Sequence, residues 1–180
     1  GKLKKSSFEA ISYGRNLSKS LNLKTVAVAF SNSNNNFDML GKYGANEIMD
    51  CSAINLKNLD NNTLATIIIE ISKKTQAKHI IISNTNKGKS ICSKIAFDMD
   101  ASLVTNAISI PENSHPLTVK CKAFSSKAFA NYQTNKERSV ITLLPNSIGA
   151  NEDEVSYSVS EGLLPNNVPL GNLKILKEEE

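Results

Sequence analysis

One stretch, from residue 79 to residue 110, limits the folds open to this chain more than any other. An apolar burst, His79-Ile80-Ile81-Ile82, breaks into the polar run Ser83-Asn84-Thr85-Asn86-Lys87-Gly88-Lys89-Ser90. Ile91 to Met99 then reads as a helix, and Leu103 to Ile110 as a second β-rich run. Strand, polar loop, helix and strand in that order make the repeating unit of a parallel α/β sheet, in which ligands and partners gather at the carboxyl ends of the strands.

The flanking sequence extends the pattern on the amino side. Ser6 or Ser7 is expected to cap a first helix that carries Phe8, Ile11, Leu17 and Leu21 at near-helical spacing, with Glu9 in its first turn. Lys24 to Phe30 reads as a buried strand, Asn32 to Asn36 as a loop, Phe37 to Tyr43 as a short helix, and Gly44 as its left-handed stop. Glu47 to Asp50 is a further strand. Leu59 to Thr75 is the clearest helix, with Leu64, Ile67, Ile68 and Ile71 on one face and Lys73 and Lys74 set to complement its dipole.

After Pro111 the texture changes. Leu117–Phe124, Lys127–Gln133 and Val140–Leu144 are strand-like runs broken by turns at 113–116 and 134–137, and with no helix between them antiparallel pairing is expected. From Pro145 order is expected to fade through Asn151–Glu154 into an extended linker at 164–169, with Leu173–Leu176 as the start of another strand. Both ends read as cut: Gly1-Lys2-Leu3-Lys4-Lys5 leads straight into the first helix, with no strand before it.

Composition narrows the function classes. A length of 180 residues, 40% of them hydrophobic, suits one α/β domain plus a tail. The net charge of +4 is spread over scattered lysines without interleaved aromatics, so no nucleic-acid surface is expected. Cys51, Cys92 and Cys121 are far apart and odd in number, which points to buried thiols in a reducing compartment. His79 and His115 stand at no metal spacing from a cysteine, and no apolar run is long enough for a membrane span or shaped as a signal peptide.

The candidate binding residues are Lys87, Gly88, Lys89 and Ser90, at a helix start after a strand. A phosphate loop would need a glycine where Ser83 stands, so loop-and-cap duty competes with an anion or partner contact there. His79 reads as a packed residue at a strand entry. Ser125 and Ser126 have no histidine or carboxylate in a nucleophile motif, and Asp98 and Asp100 flank Met99 where they solvate a helix end. No catalytic residue and no metal ligand is singled out.

Several stretches together resemble the N-terminal domain of the electron transfer flavoprotein alpha subunit. Ser6-Ser7-Phe8-Glu9-Ala10 is similar to that family's "S-x-E-A/L" helix start, and Leu40 to Ile48 to its "L-x-x-Y-G-A-D-K-V", with Asn46 for the aspartate. Asn84 to Ser90 and the helix after it resemble "A-T-x-x-G-K/R-D-L-x-P-R-x-A", with Ser90 for aspartate and Ser93 for proline. Ala101 to Asn106 stands where the family has "g-x-x-S/T-D-v", Lys127 to Asn131 resembles "a-G-N/K-A-x-A", and Val140 to Asn146 resembles "V-x-T-v-R-P-x". The motifs run in order over residues 1–148.

The resemblance implies a three-layer αβα fold with a parallel core sheet, adenine nucleotide alpha hydrolase-like, and an antiparallel β extension. Residues 1–148 would be the domain, its first strand missing, and 149–180 a linker toward an absent FAD-binding domain. The resemblance also implies a scaffold and subunit-interaction domain of an electron carrier, not an enzyme. FAD would be held elsewhere in the alpha subunit, with AMP in the beta partner. The implied partners are the beta subunit in a heterodimer, dehydrogenases and a quinone oxidoreductase, in the bacterial cytoplasm or the mitochondrial matrix. Two other readings stand beside it: a stand-alone nucleotide-binding domain using the Asn86–Ser90 loop, and an ATP-cleaving enzyme of the same fold, whose glycine- and serine-rich pyrophosphate loop is not visible.

Overall fold

In a computed structural model that describes residues 3–30, 37–54, 59–113 and 116–162, the chain forms four helices and eight strands. In chain order they are α1 (Lys5–Leu21), β1 (Val26–Ala29), α2 (Phe37–Lys42), β2 (Glu47–Asp50), α3 (Asn61–Lys74), β3 (His79–Ser83), α4 (Asn86–Asp98), β4 (Ser102–Ala107), β5 (Thr118–Ala123), β6 (Ala128–Gln133), β7 (Ser139–Leu143) and β8 (Ser158–Glu161). The strands make two ladders, ordered β1-β2-β8 and β3-β7-β4-β5-β6.

Alternation along the strands sorts the core into layers, because successive side chains leave opposite faces of a sheet. Ala27, Ala29 and Ile48 pack with Leu40 of α2 and with Phe8 and Ile11 of α1. Ile81, Val104, Ile141 and Leu143 meet Tyr13 and Leu17 of α1. On the other face, Val28, Met49, Ile80, Ile82, Leu103 and Val140 pack against Leu64, Ile67 and Ile71 of α3 and Ile91 and Ile95 of α4. The result is the expected three-layer αβα fold, with α1 and α2 on one side and α3 and α4 on the other.

Where periodicity is strong, the expected elements appear. The α3 helix buries Leu64, Ile67 and Ile71, Asp60 caps it by accepting from the Thr63 N–H, and Lys73 and Lys74 sit in its last turn. Gly44 has φ +104°, the left-handed stop of α2. All three cysteines are free and buried.

Four expectations change. Helix α1 starts at Lys5, with Lys4 at the cap position and no side-chain cap, so neither Ser6 nor Ser7 fills that role. Glu9 then lies one turn in and is buried. The strand β7 does not continue an antiparallel run. It returns between β3 and β4 and is parallel to both, because Ser139-Val140-Ile141-Thr142-Leu143 is buried on both faces and fits only a central strand. Antiparallel pairing is confined to β4–β5 and β5–β6.

Order also persists past Pro145, through the described residues 146–162. Arg15 and Lys19 hold Asp153, at 2.8 and 2.5 Å, and Tyr157 donates to Asp38. The strand β8 pairs in parallel with β2, Glu47 opposite Ser158 and Asp50 opposite Glu161. The expected loop at 32–36, the turn residues Ser114 and His115, the linker at 164–169 and the strand at 173–176 lie outside the described residues. Among the described residues no helix is long and apolar enough to cross a membrane.

Candidate functional site

The carboxyl ends of β3, β7 and β4 lie side by side, and the polar residues found there are engaged with one another. After β3 the chain enters α4 at once. Thr85 caps the helix: its Oγ1 accepts from the Gly88 N–H at 3.2 Å, and its carbonyl accepts from the Lys89 N–H at 2.9 Å. Asn86 to Ser90 are thus the first turns of α4, not a loop before a helix starting at Ile91. Their polar side chains misread as a loop because Asn86, Lys89 and Ser90 face outward while only Gly88 turns in.

The four candidate residues are therefore neighbours on one helix start. Gly88 is there for close packing, since a Cβ would lie 2.1 Å from the Ser83 carbonyl oxygen and 2.9 Å from Ile82 Cγ2. Lys87 Nζ donates to the Leu59 carbonyl at 3.4 Å, and Ser90 Oγ donates to the Lys87 carbonyl at 2.8 Å. Lys89 is exposed.

Beside them stands a polar pair that sequence alone does not join, since Asn84 reads as loop and Asn106 as part of a β-rich run. Asn84 is buried; its N–H donates to the Leu143 carbonyl at 2.8 Å and its Nδ2 to Asn106 Oδ1 at 2.6 Å. Asn106 takes φ 57° at an irregularity in the β4–β7 ladder, and its N–H donates to Thr142 Oγ1 at 3.2 Å. Ser83 Oγ donates to the Ser6 carbonyl at 2.8 Å, which ties β3 to α1.

The largest feature of this edge is an anion site filled from within. The carboxylate of Glu9, 2% exposed, accepts the backbone N–H groups of Asn146, Ser147, Ile148 and Gly149 at 2.8, 2.8, 2.9 and 3.1 Å. Left-handed φ values at Asn146 (61°) and Gly149 (74°) help curl the amides around it, the geometry of an anion-binding nest. One turn on, Ser12 Oγ donates to the Asn151 carbonyl at 2.9 Å. Glu9, Ser12 and Tyr13 share one buried face of α1, a placement that the first-turn position expected for Glu9 does not disclose.

The chemistry on offer is structural. Burial pushes the Cys51 and Cys121 thiols up to about 11, so both stay protonated and unreactive at neutral pH. The Tyr13 hydroxyl is buried without a hydrogen-bond partner, and burial raises it further still. His79 Nδ1 and Ser139 Oγ are 2.8 Å apart, but Ser139 is buried and the pair sits at the amino end of the sheet. Ser125 and Ser126 form the β5–β6 turn with φ 51° and 70°; Asp98 pairs with Lys94, and Asp100 with Lys136.

Comparison with known proteins agrees with this frame. The sequence profile of the family described as "Electron transfer flavoprotein domain" matches residues 1–160. The chain is also similar to the electron transfer flavoprotein subunit alpha of Bacillus subtilis (strain 168), 24% identical over 160 residues, which is 89% of this chain and 49% of that one. The chain thus spans about half the length of that relative.

Proposed function

Because this chain belongs to the electron transfer flavoprotein domain family, we propose that it serves as the N-terminal scaffold and subunit-interaction domain of an alpha subunit. Proteins of that family carry electrons; they are not catalysts. The observation that carries the reading is the use of the carboxyl-edge donors by the chain itself: Thr85 takes the Gly88 amide and Glu9 takes the amides of 146–149. A ligand at that edge would have to displace a buried carboxylate or a helix cap.

Gly88 has no Cβ so that the Ser83 carbonyl can pass against it, and its N–H is already taken by Thr85 Oγ1, which supports a packing role for this helix start. In this reading FAD is held by polypeptide outside the described residues, and AMP by the beta partner. The whole protein would shuttle electrons from dehydrogenases to a quinone oxidoreductase, as a heterodimer with the beta subunit, in a bacterial cytoplasm or a mitochondrial matrix. Among the described residues β1 and β3 each leave one edge unpaired beneath α1, which supports a further strand ahead of α1, parallel to both.

The test is the intact mass and visible absorption spectrum of the purified chain. The expected result is the mass of the 180 residues with no flavin bands. Stoichiometric flavin in this chain overturns the assignment, and tight adenine-nucleotide binding by it alone, with Lys89→Ala abolishing the binding, replaces it with the nucleotide-binding alternative.

A further inference from the structure

The buried carboxylate at the carboxyl edge has no cation beside it. Glu9 is 2% exposed, and none of the ion pairs among the described residues includes it. Its charge is balanced by main-chain donors alone. Oε1 accepts from Ser147, Ile148 and Gly149, and Oε2 from Asn146. A buried ion without a partner of opposite sign persists only where fixed donors replace the water it has lost.

Those donors are fixed without help from Glu9. Ser147 Oγ donates to the Leu144 carbonyl at 2.6 Å, and the Leu144 N–H donates to the Ala107 carbonyl at 2.9 Å, which pins the near side of the loop to β4. Ile148 packs against the cluster that holds Tyr13 and Leu143. On the far side the Asn151 N–H donates to Ser12 Oγ at 3.1 Å, and Arg15 holds Asp153. A Cβ at Gly149 would meet nothing within 4 Å, so this left-handed glycine serves the curl of the backbone and not its packing. The four amides are thus aimed at one centre by contacts that do not pass through the carboxylate, which is what makes a receptor preorganised.

We infer that residues 146–149 are a carboxylate-binding site in their own right, whose resident ligand is the side chain of Glu9 and which takes a free short monocarboxylate once that side chain is trimmed. Two features select this class of ligand. Three amides converge on one oxygen and one on the other, which suits a planar carboxylate. The space vacated by a side chain so deeply buried admits nothing much larger than the group removed.

Size sets the match between variant and ion. Alanine in place of Glu9 removes one methylene and the carboxylate. A free ion needs van der Waals clearance where the side chain had a bond, so formate fits the alanine variant, and acetate fits the glycine variant, which lacks one carbon more. In the unaltered chain the site is closed to outside anions, because a tethered carboxylate outcompetes a free one through its high effective concentration.

The test is a set of urea titrations of the 180-residue chain and its Glu9→Ala, Glu9→Gly and Glu9→Gln variants in sodium formate, acetate and chloride at matched ionic strength and neutral pH. Proton–nitrogen correlation spectra of the folded variants follow the amides of 146–149. The expected result is that about 0.2 M formate restores about half of the urea midpoint lost in Glu9→Ala. Acetate should do the same in Glu9→Gly, and the signals of 146–149 should shift with each titration. The parent chain and Glu9→Gln, in which an amide fills the site, should respond to formate no more than to chloride. Trimmed variants that respond equally to carboxylate and chloride overturn the inference. A formate response of the same size in the parent chain, or recovery with no shift at 146–149, overturns it as well. Should neither trimmed variant fold in chloride, return of the helical circular dichroism in formate or acetate supports the site, and its failure to return overturns it.

Discussion

The carboxylate of Glu9 accepts the backbone N–H of Ser147 at 2.8 Å, across a separation of 138 positions in the chain. With three neighbouring amides it fastens α1 to the segment that follows β7. Hydrogen bonds to a charged acceptor contribute about 1.5–3 kcal/mol, and stranding buried donors costs more than losing an exposed contact. Glu9→Ala should therefore destabilise the fold by about 3 kcal/mol and Glu9→Gln by about half of that, read as the shift in urea midpoint. Glu9→Ala within about 0.5 kcal/mol of the parent would show that the nest is not part of the stable core.

Gly88 should be intolerant of even one methyl group. A Cβ there meets the Ser83 carbonyl oxygen at 2.1 Å, and backbone cannot swing aside as a long side chain can. Gly88→Ala should cost about 3 kcal/mol by overpacking the contact between α4 and β3, whereas Lys89→Ala on the exposed side should change stability by less than about 0.5 kcal/mol. Thermal melting of the two variants side by side decides it.

The thiols predict an alkaline weakening. In the unfolded chain a cysteine ionises from its ordinary value of 9.0, while burial holds Cys51 and Cys121 protonated up to about 11. Between those values the unfolded state binds fewer protons than the folded state. Stability is therefore fully present below pH 9 and falls as pH rises toward 11, by up to about 2–3 kcal/mol per thiol. Cys121→Ala should flatten its share of the slope in urea titrations at pH 7.5 and 10.5 under reducing conditions. In the native state at pH 7.5 a thiol reagent should leave both unmodified.

Asp153, held by Arg15 and Lys19, acts in the opposite pH window. Its hydrogen bonds to Lys19 and then Arg15 lower its carboxyl below the ordinary value of 3.8. The stabilisation is present above that value and lost as pH falls through the lowered one. The site is about a third exposed, so Asp153→Asn should cost only about 0.5–1 kcal/mol, less at high salt. Faster proteolysis near residue 153 would accompany it; an unchanged cleavage rate would mean that the other contacts of this segment, Ser12 with Asn151 and Lys42 with Glu152 among them, hold it without Asp153.

Much of the fold is legible in the sequence where one period dominates. The isoleucines of α3 and the apolar run of β3 declare themselves because their spacing matches one element and no other. Strand β7 declares its type but not its place, since a buried parallel strand and the third strand of a meander share the same apolar run. Strand β8 is hidden for a different reason: Ser158-Val159-Ser160-Glu161 is mostly exposed, and its stability comes from pairing with β2, a contact 111 positions distant in the chain. At the candidate site, Asn86 to Ser90 read as loop because a polar, outward-facing first turn has the same composition as a loop. The role of Glu9 depends on amides near residue 147, and nothing local signals that.

The two ladders have a mechanical consequence. β1 and β3 are terminal strands of separate ladders, and Gly14 of α1 lies against both sides: a Cβ there would be 3.5 Å from Thr25 and 3.9 Å from Ile81. Among the described residues no main-chain hydrogen bond of either ladder crosses that line, and the contacts there are made by side chains packed under α1. With no further strand in that gap, the line is the seam along which the 180-residue chain parts first under force or partial denaturation, and exchange measurements on it should resolve the β1-β2-β8 half as a separate unit that opens earlier.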